Sequence, residues 1–122
     1  MQIINHLQDC QKDYIYLNRV YLPISYFNKY SIKVDVLKRN KNNSKFNDLK
    51  KLVIERVEKL LEDSKKGIDL IEVVRLKKET LIIFNIAKRL CFLLKKNNPL
   101  EKKIKLSRID LIFCFIKGIM NN

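Results

Sequence analysis

Turn formers are scarce in this 122-residue sequence, with only two Gly and two Pro. Strand folds with many reversals draw heavily on these residues, so their scarcity beside 47% apolar and 32% charged residues excludes such folds and points to an all-α domain. Cysteine is also sparse: Cys10, Cys91 and Cys114 are odd in number and far apart. They form neither a Cys-x-x-Cys pair nor a ligand set with the only histidine, His6, so a zinc site or disulfide framework is excluded and reduced thiols are expected. Long apolar runs are missing too. The longest stretch without a charge, Val20 to Asn28, is far below the roughly 18 residues that would cross a bilayer. No leader signature opens the chain, which is expected to be cytoplasmic and at most peripheral to a membrane.

Acidic residues number half the basic ones, 13 against 26, giving a formal charge of +13. Residues 1 to 31 carry only +1 of it, from Lys12, Arg19 and Lys29 against Asp9 and Asp13. Such a balance attracts nucleic acid, anionic lipid or a phosphorylated small molecule without choosing among them. No arginine tract or aromatic stacking pattern accompanies it, and the lysines are interleaved with apolar residues at helical spacing. A solvated helix face is therefore the reading, and no nucleic acid is expected.

The apolar periodicity predicts five helices. Ile3, Ile4, Leu7, Cys10 and Tyr14 give the first, Met1 to about Leu17. It starts without a cap, from which an upstream portion is expected. Pro23 makes Asn18 to Leu22 a connection and Ile24 to Tyr30 a short helix. The polar stretch Lys38 to Lys45 reads as a loop. Phe46, Leu49, Leu52, Val53, Val57, Leu60 and Leu61 predict a helix to about Asp63, stopped by Ser64 to Gly67. Leu76, Thr80, Ile83, Phe84, Ala87, Leu90, Cys91 and Leu94 predict one from Arg75 to Lys95, widened by Ile82, Ile86 and Leu93 and so buried on more than one side. Asn97-Asn98-Pro99 ends it. Ser107 with Asp110 three residues on predicts a capped last helix reaching about Met120. Residues 1–122 form one unit without internal repeats.

One constellation carries chemistry. Asn5, Asp9 and Asp13 stand at i, i+4 and i+8, which on a helix places an amide and two carboxylates on one face. Mg²⁺ takes oxygen ligands and is commonly held by one or two carboxylates together with substrate phosphates. Arg19, just past the helix, has the fork of donors that suits a diphosphate. Glu58 and Glu62 share the spacing but lie among Arg56, Lys59, Lys65 and Lys66, and read as a solvated, salt-bridged face. His6 is one residue from Asn5 and off that face, which assigns it a packing or surface role.

The run Gln2-Ile3-Ile4-Asn5-His6-Leu7-Gln8-Asp9-Cys10-Gln11-Lys12-Asp13, followed by Asn18-Arg19-Val20-Tyr21-Leu22-Pro23, resembles the second aspartate-rich motif of the squalene/phytoene synthase family. Farther on, Arg75-Leu76-Lys77-Lys78-Glu79, Asn98-Pro99-Leu100 and Lys103 to Arg108 lie in the order seen near the end of its hydroxysqualene synthase branch. The resemblance implies an all-α terpenoid-synthase bundle and, in active members, transferase chemistry joining farnesyl or geranylgeranyl diphosphates head to head in isoprenoid biosynthesis, with Mg²⁺ between two facing aspartate motifs. By matching residue, Asp9 and Asp13 would be Mg²⁺ ligands, Gln2 and Asn5 polar cavity residues, and Arg19 and Tyr21 diphosphate contacts. Asn18 replaces the family's usual Gly and is expected to alter the turn.

The resemblance places this chain in the C-terminal portion of such a synthase, and no second Asp-x-x-x-Asp is present for the first motif. The expectation is a chain inactive alone that self-associates or joins a separately encoded N-terminal half. The alternative is a non-catalytic assembly or binding protein of the family, or a degraded remnant.

Overall fold

The computed structural model describes residues 1–41 and 43–120 and is helical throughout, with no strand among the described residues. The helices are α1 (Gln2–Gln8), α2 (Cys10–Leu17), α3 (Ile24–Lys29), α4 (Ser44–Asp69), α5 (Val74–Lys96) and α6 (Arg108–Met120), with a 3-10 turn at Val34–Lys38 between α3 and α4. The first predicted helix is divided at Asp9, whose φ of −100° and ψ of 9° fall in the bridge region. Hydrogen bonding is little interrupted, since the Asp9 N–H donates to the Asn5 carbonyl at 2.9 Å and the Asp9 carbonyl accepts from the Asp13 N–H at 2.8 Å. The predicted loop is confined to the residues between the 3-10 turn and α4, and its Asn42 lies outside the described residues.

Helix α4 is the spine. Asn43 starts it by accepting from the Phe46 N–H at 3.0 Å, satisfying one of the orphan donors of the first turn. Phe46, Leu49, Val53, Ile54 and Val57 then present a buried stripe to Ile4, Leu7 and Cys10 of the front helices, to Leu22, Phe27 and Leu37, and to Ala87, Leu90 and Leu94 of α5. The predicted stop at Ser64 to Gly67 is wrong, and α4 runs on to Asp69. The Ser64 hydroxyl is satisfied by the helix's own Leu61 carbonyl at 2.8 Å. Beyond Gly67, Ile68 is buried in a second small cluster with Leu81 and Phe84 of α5. That packing outweighs the roughly 1 kcal/mol cost of a mid-helix glycine.

Helix α5 lies between α4 and α6, as its wide apolar surface predicts, although its first half is turned from the predicted face. Leu76 and Ile83 are about half exposed, and Leu81 and Asn85 are buried in their stead. Lys50 of α4, almost fully buried, donates from Nζ to the Asn97 carbonyl at 2.8 Å and so satisfies a backbone acceptor where α5 ends. Burial lowers its pKa from the usual lysine value. After Pro99 the chain returns past α1, where the Gln8 side chain donates to the Ile104 carbonyl at 2.8 Å.

The predicted cap of α6 is present in both directions. The Asp110 N–H donates to the Ser107 hydroxyl at 3.1 Å, and the Asp110 carboxylate accepts from the Ser107 N–H at 3.0 Å and its hydroxyl at 2.7 Å.

Candidate functional site

The aspartate face begins with the way α1 and α2 are anchored. Ile4, Leu7 and Cys10 are buried on the α4 side, which leaves Gln2 and Asn5 exposed and Asp9 and Asp13 half-buried. Cys10 is a core residue whose thiol burial pushes up to about 12, so it stays protonated.

Where α2 ends, the Asp13 carbonyl accepts from both the Asn18 and the Arg19 N–H. Asn18 adopts the left-handed conformation, φ 50° and ψ 40°. That is the conformation for which Gly is favoured at a helix C-terminus and which Asn tolerates best among the other residues. At Asn18, where the family usually has Gly, the turn is a left-handed cap. Leu22 is then buried and fixes the following segment against the core.

This path carries Tyr21 back over α1. Its ring stacks on His6 with centroids 3.9 Å apart and planes 17° from parallel. The Arg19 guanidinium donates to the Tyr21 hydroxyl at 3.3 Å, and this bond further raises the arginine's pKa. On the other side, His6 Nδ1 stands 3.9 Å from an Asp13 carboxylate oxygen. Asp13, His6, Tyr21 and Arg19 are thereby connected in one polar run. The stack on Tyr21 is a packing role, as expected for a residue off the Asn5 face, and it also brings His6 near Asp13. The legible signal was its spacing to Asp13: seven residues are two helical turns, which returns a side chain to nearly the same face.

Beside the run lies an apolar groove of about 260 Å³, bounded by Ile3, Pro23, Val53, Val57 and Leu60 and rimmed by His6, Tyr21, Tyr26 and Arg56. Arg56 donates to the Tyr26 hydroxyl and lies over that ring, 4.9 Å from its centroid. Arg56 and Tyr26 reach the site from α4 and α3, so no linear motif announces them.

Asp9 opens instead on a second groove, with Gln11, Lys12, Tyr16, Asn40 and Lys102 among its lining residues. Of the six predicted residues, Arg19 and Tyr21 touch and Asp13 joins them through His6. Asp9 lines a different groove, and the Gln2 and Asn5 side chains make no hydrogen bond or ion pair with the run. Among the described residues no group of three or more His, Cys, Asp or Glu side chains converges as a metal site. The donor set of Asp9 and Asp13 is two hard carboxylates, which fits an ion completed by ligands other than these side chains. Glu58, at the same spacing from Glu62, pairs with Lys95 across the α4–α5 contact at 2.6 Å.

Comparison with known proteins identifies the family of the chain. The family model for squalene/phytoene synthase matches residues 1–110. The chain is similar to a hydroxysqualene synthase of Sinorhizobium fredii, 27% identical over 121 residues, covering 99% of this chain and 41% of the relative. It is also similar to hydroxysqualene synthases of Rhodopseudomonas palustris, 34% identical over 92% of this chain and 38% of the relative, and of Zymomonas mobilis, 28% identical with the same coverage. The chain thus spans about two fifths of the length of these curated relatives. No solved structure matches it.

Proposed function

This chain belongs to the squalene/phytoene synthase family, and we propose that it supplies one wall of a prenyl-diphosphate site whose opposite wall comes from the remaining part of such a synthase. The observation that carries this reading is the polar run from Asp13 through His6 and Tyr21 to Arg19, set along an apolar groove with Arg56 at its rim. A prenyl diphosphate has both needs in one molecule, a hydrocarbon tail to be kept from water and an anionic head to be paired with cations.

In this reading the groove formed by Ile3, Val53, Val57 and Leu60 takes a stretch of isoprenoid tail, and Arg19 and Arg56 face the diphosphate. The Tyr21 hydroxyl positions Arg19, and the stacked His6 ring positions Tyr21. Asp9 and Asp13, with Gln2 and Asn5 as polar neighbours, would hold Mg²⁺, which when bound neutralises a diphosphate leaving group. Two carboxylates provide only part of such a coordination sphere. The chain alone is therefore proposed to be inactive, and a polypeptide carrying the first aspartate motif to complete the cavity.

Co-expression of this chain with such a polypeptide tests the reading. Mg²⁺-dependent consumption of farnesyl or geranylgeranyl diphosphate is expected from the pair and not from this chain alone, and Asp13→Ala or Arg19→Ala should reduce it by at least ~100-fold, the scale of losing a main electrostatic contact in a closed site. Turnover by this chain alone would refute the half-site, and turnover by the pair that survives Asp9→Ala/Asp13→Ala would refute the metal assignment.

A further inference from the structure

Helix α6 buries only Cys114 and Gly118. Its remaining apolar residues, Ile109, Ile112, Phe113, Phe115, Ile116 and Met120 among them, are exposed, with Ile109 at 75% and Phe113 at 72%. The helix is held to α5 along a narrow seam where Gly118 meets Ile82. No helix among the described residues is long and apolar enough to cross a membrane, and the 13 residues of α6 extend about 20 Å. A helix of this kind meets a bilayer by lying along it.

The charges beside this apolar surface are predominantly of one sign. Helices α5 and α6 carry nine Lys and Arg against two carboxylates, Glu79 and Asp110. Both carboxylates are paired, Glu79 with Arg75 at 2.9 Å and Asp110 with Arg89 at 2.7 Å. Between the two helices, a groove of about 480 Å³ brings Lys88, Arg89 and Lys117 beside Ile109, Phe92 and Phe113. Lys102, Lys103 and Lys105 precede α6 in the chain. A second copy on this face would set like charge against like charge. A surface of anionic headgroups over acyl chains complements both the cations and the apolar side chains, and it requires no shape match to a convex helix.

We infer that α6, with the adjoining cationic side of α5, docks this protein on an anionic lipid bilayer. The helix lies in the interface plane with Ile109, Ile112, Phe113 and Ile116 in the acyl boundary, and Lys88 and Lys117 pair with lipid phosphates. The inference does not depend on the prenyl-diphosphate reading, which concerns the opposite end of the sequence.

The full chain is tested by co-sedimentation with phosphatidylcholine vesicles with and without phosphatidylglycerol. Binding is expected only to the anionic vesicles and is expected to fall as salt rises. Ile109→Ser/Phe113→Ser, which leaves the charge unchanged, and Lys88→Gln/Lys117→Gln, which leaves the apolar face unchanged, should each weaken binding by about tenfold or more. The control Lys59→Gln/Lys65→Gln on exposed positions of α4 removes equal charge and should change binding by less than about twofold. The substituted α6 residues are exposed, and circular dichroism verifies that the variants keep their helicity. Wild type and Ile109→Ser/Phe113→Ser binding equally well, or the α4 control losing as much as the Lys88/Lys117 pair, would overturn the inference. So would a stable dimer in sizing experiments that ignores vesicles and is dissolved by Ile109→Ser/Phe113→Ser, or an acidic protein partner that binds α6 while anionic vesicles do not.

Discussion

Phe46 and Phe113 stand on helices with the same kind of apolar recurrence, yet Phe46 is wholly buried and Phe113 is 72% exposed. Around α4 the front helices, the 3-10 turn and α5 all converge, so that its stripe is covered from several sides. Among the described residues, α6 packs chiefly against α5. The difference teaches that an amphipathic pattern specifies a helix and a sticky face, while the energetic yield of that face depends on how many other elements the chain delivers to it.

The widest separation between the two regions should come from matched truncations. Phe46→Ala should cost about 3–5 kcal/mol in denaturant unfolding, the usual range for emptying a core aromatic site. Next, Gly118→Ala strikes the seam through which α6 is held. Its Cβ would lie 2.4 Å from Ile82 Cγ1 and 2.9 Å from the Ile82 backbone nitrogen, so α6 must shift, at about 1–3 kcal/mol. Hydrogen exchange should show α6 amides losing protection while those of α4 keep theirs.

A smaller effect is expected at the α6 cap, where Ser107→Ala should cost about 1 kcal/mol. The same cap gives a pH dependence of known sign. Hydrogen bonds from Ser107, then the Arg89 guanidinium, hold the Asp110 carboxyl below the usual carboxylate range. Its stabilising contribution is present above the unfolded-state value of about 4 and is lost as pH falls through the lower folded-state value. Thermal unfolding between pH 7 and pH values of about 2 should show this loss in wild type and less of it in Ser107→Ala. Last, Phe113→Ser should alter stability by no more than ~0.5 kcal/mol. A cost near that of Phe46→Ala would mean that α6 is covered in solution and would erase the contrast between the regions.

Much of the fold was legible because helix formation here is a local matter. The spacing of apolar residues, Pro23, Asn97-Asn98-Pro99 and the Ser107/Asp110 box all act within a few residues of where they stand. The failures mark where tertiary contacts overrule local signals. Gly67 did not end α4 because Leu81 and Phe84 received Ile68 beyond it, and Leu76 and Ile83 were drawn into a face from which packing excluded them. At the candidate site, the letters around Asp9 and Asp13 carry the family resemblance, which Glu58 and Glu62, identical in spacing, lack. Arg56 and Tyr26 were illegible, since they meet the site from separate helices.

The sequence by itself determined an all-α chain, the Ser107/Asp110 cap of α6 and its membership of the squalene/phytoene synthase family, because periodicity, capping and motif letters are read along the backbone. Only the tertiary structure decided that Tyr21 folds back onto His6, that Asp9 lines a groove apart from the one His6 and Tyr21 rim, and that α6 keeps its apolar residues in the open. Each of these depends on which distant segment occupies the space beside a side chain, and burial and pairing are properties of that space.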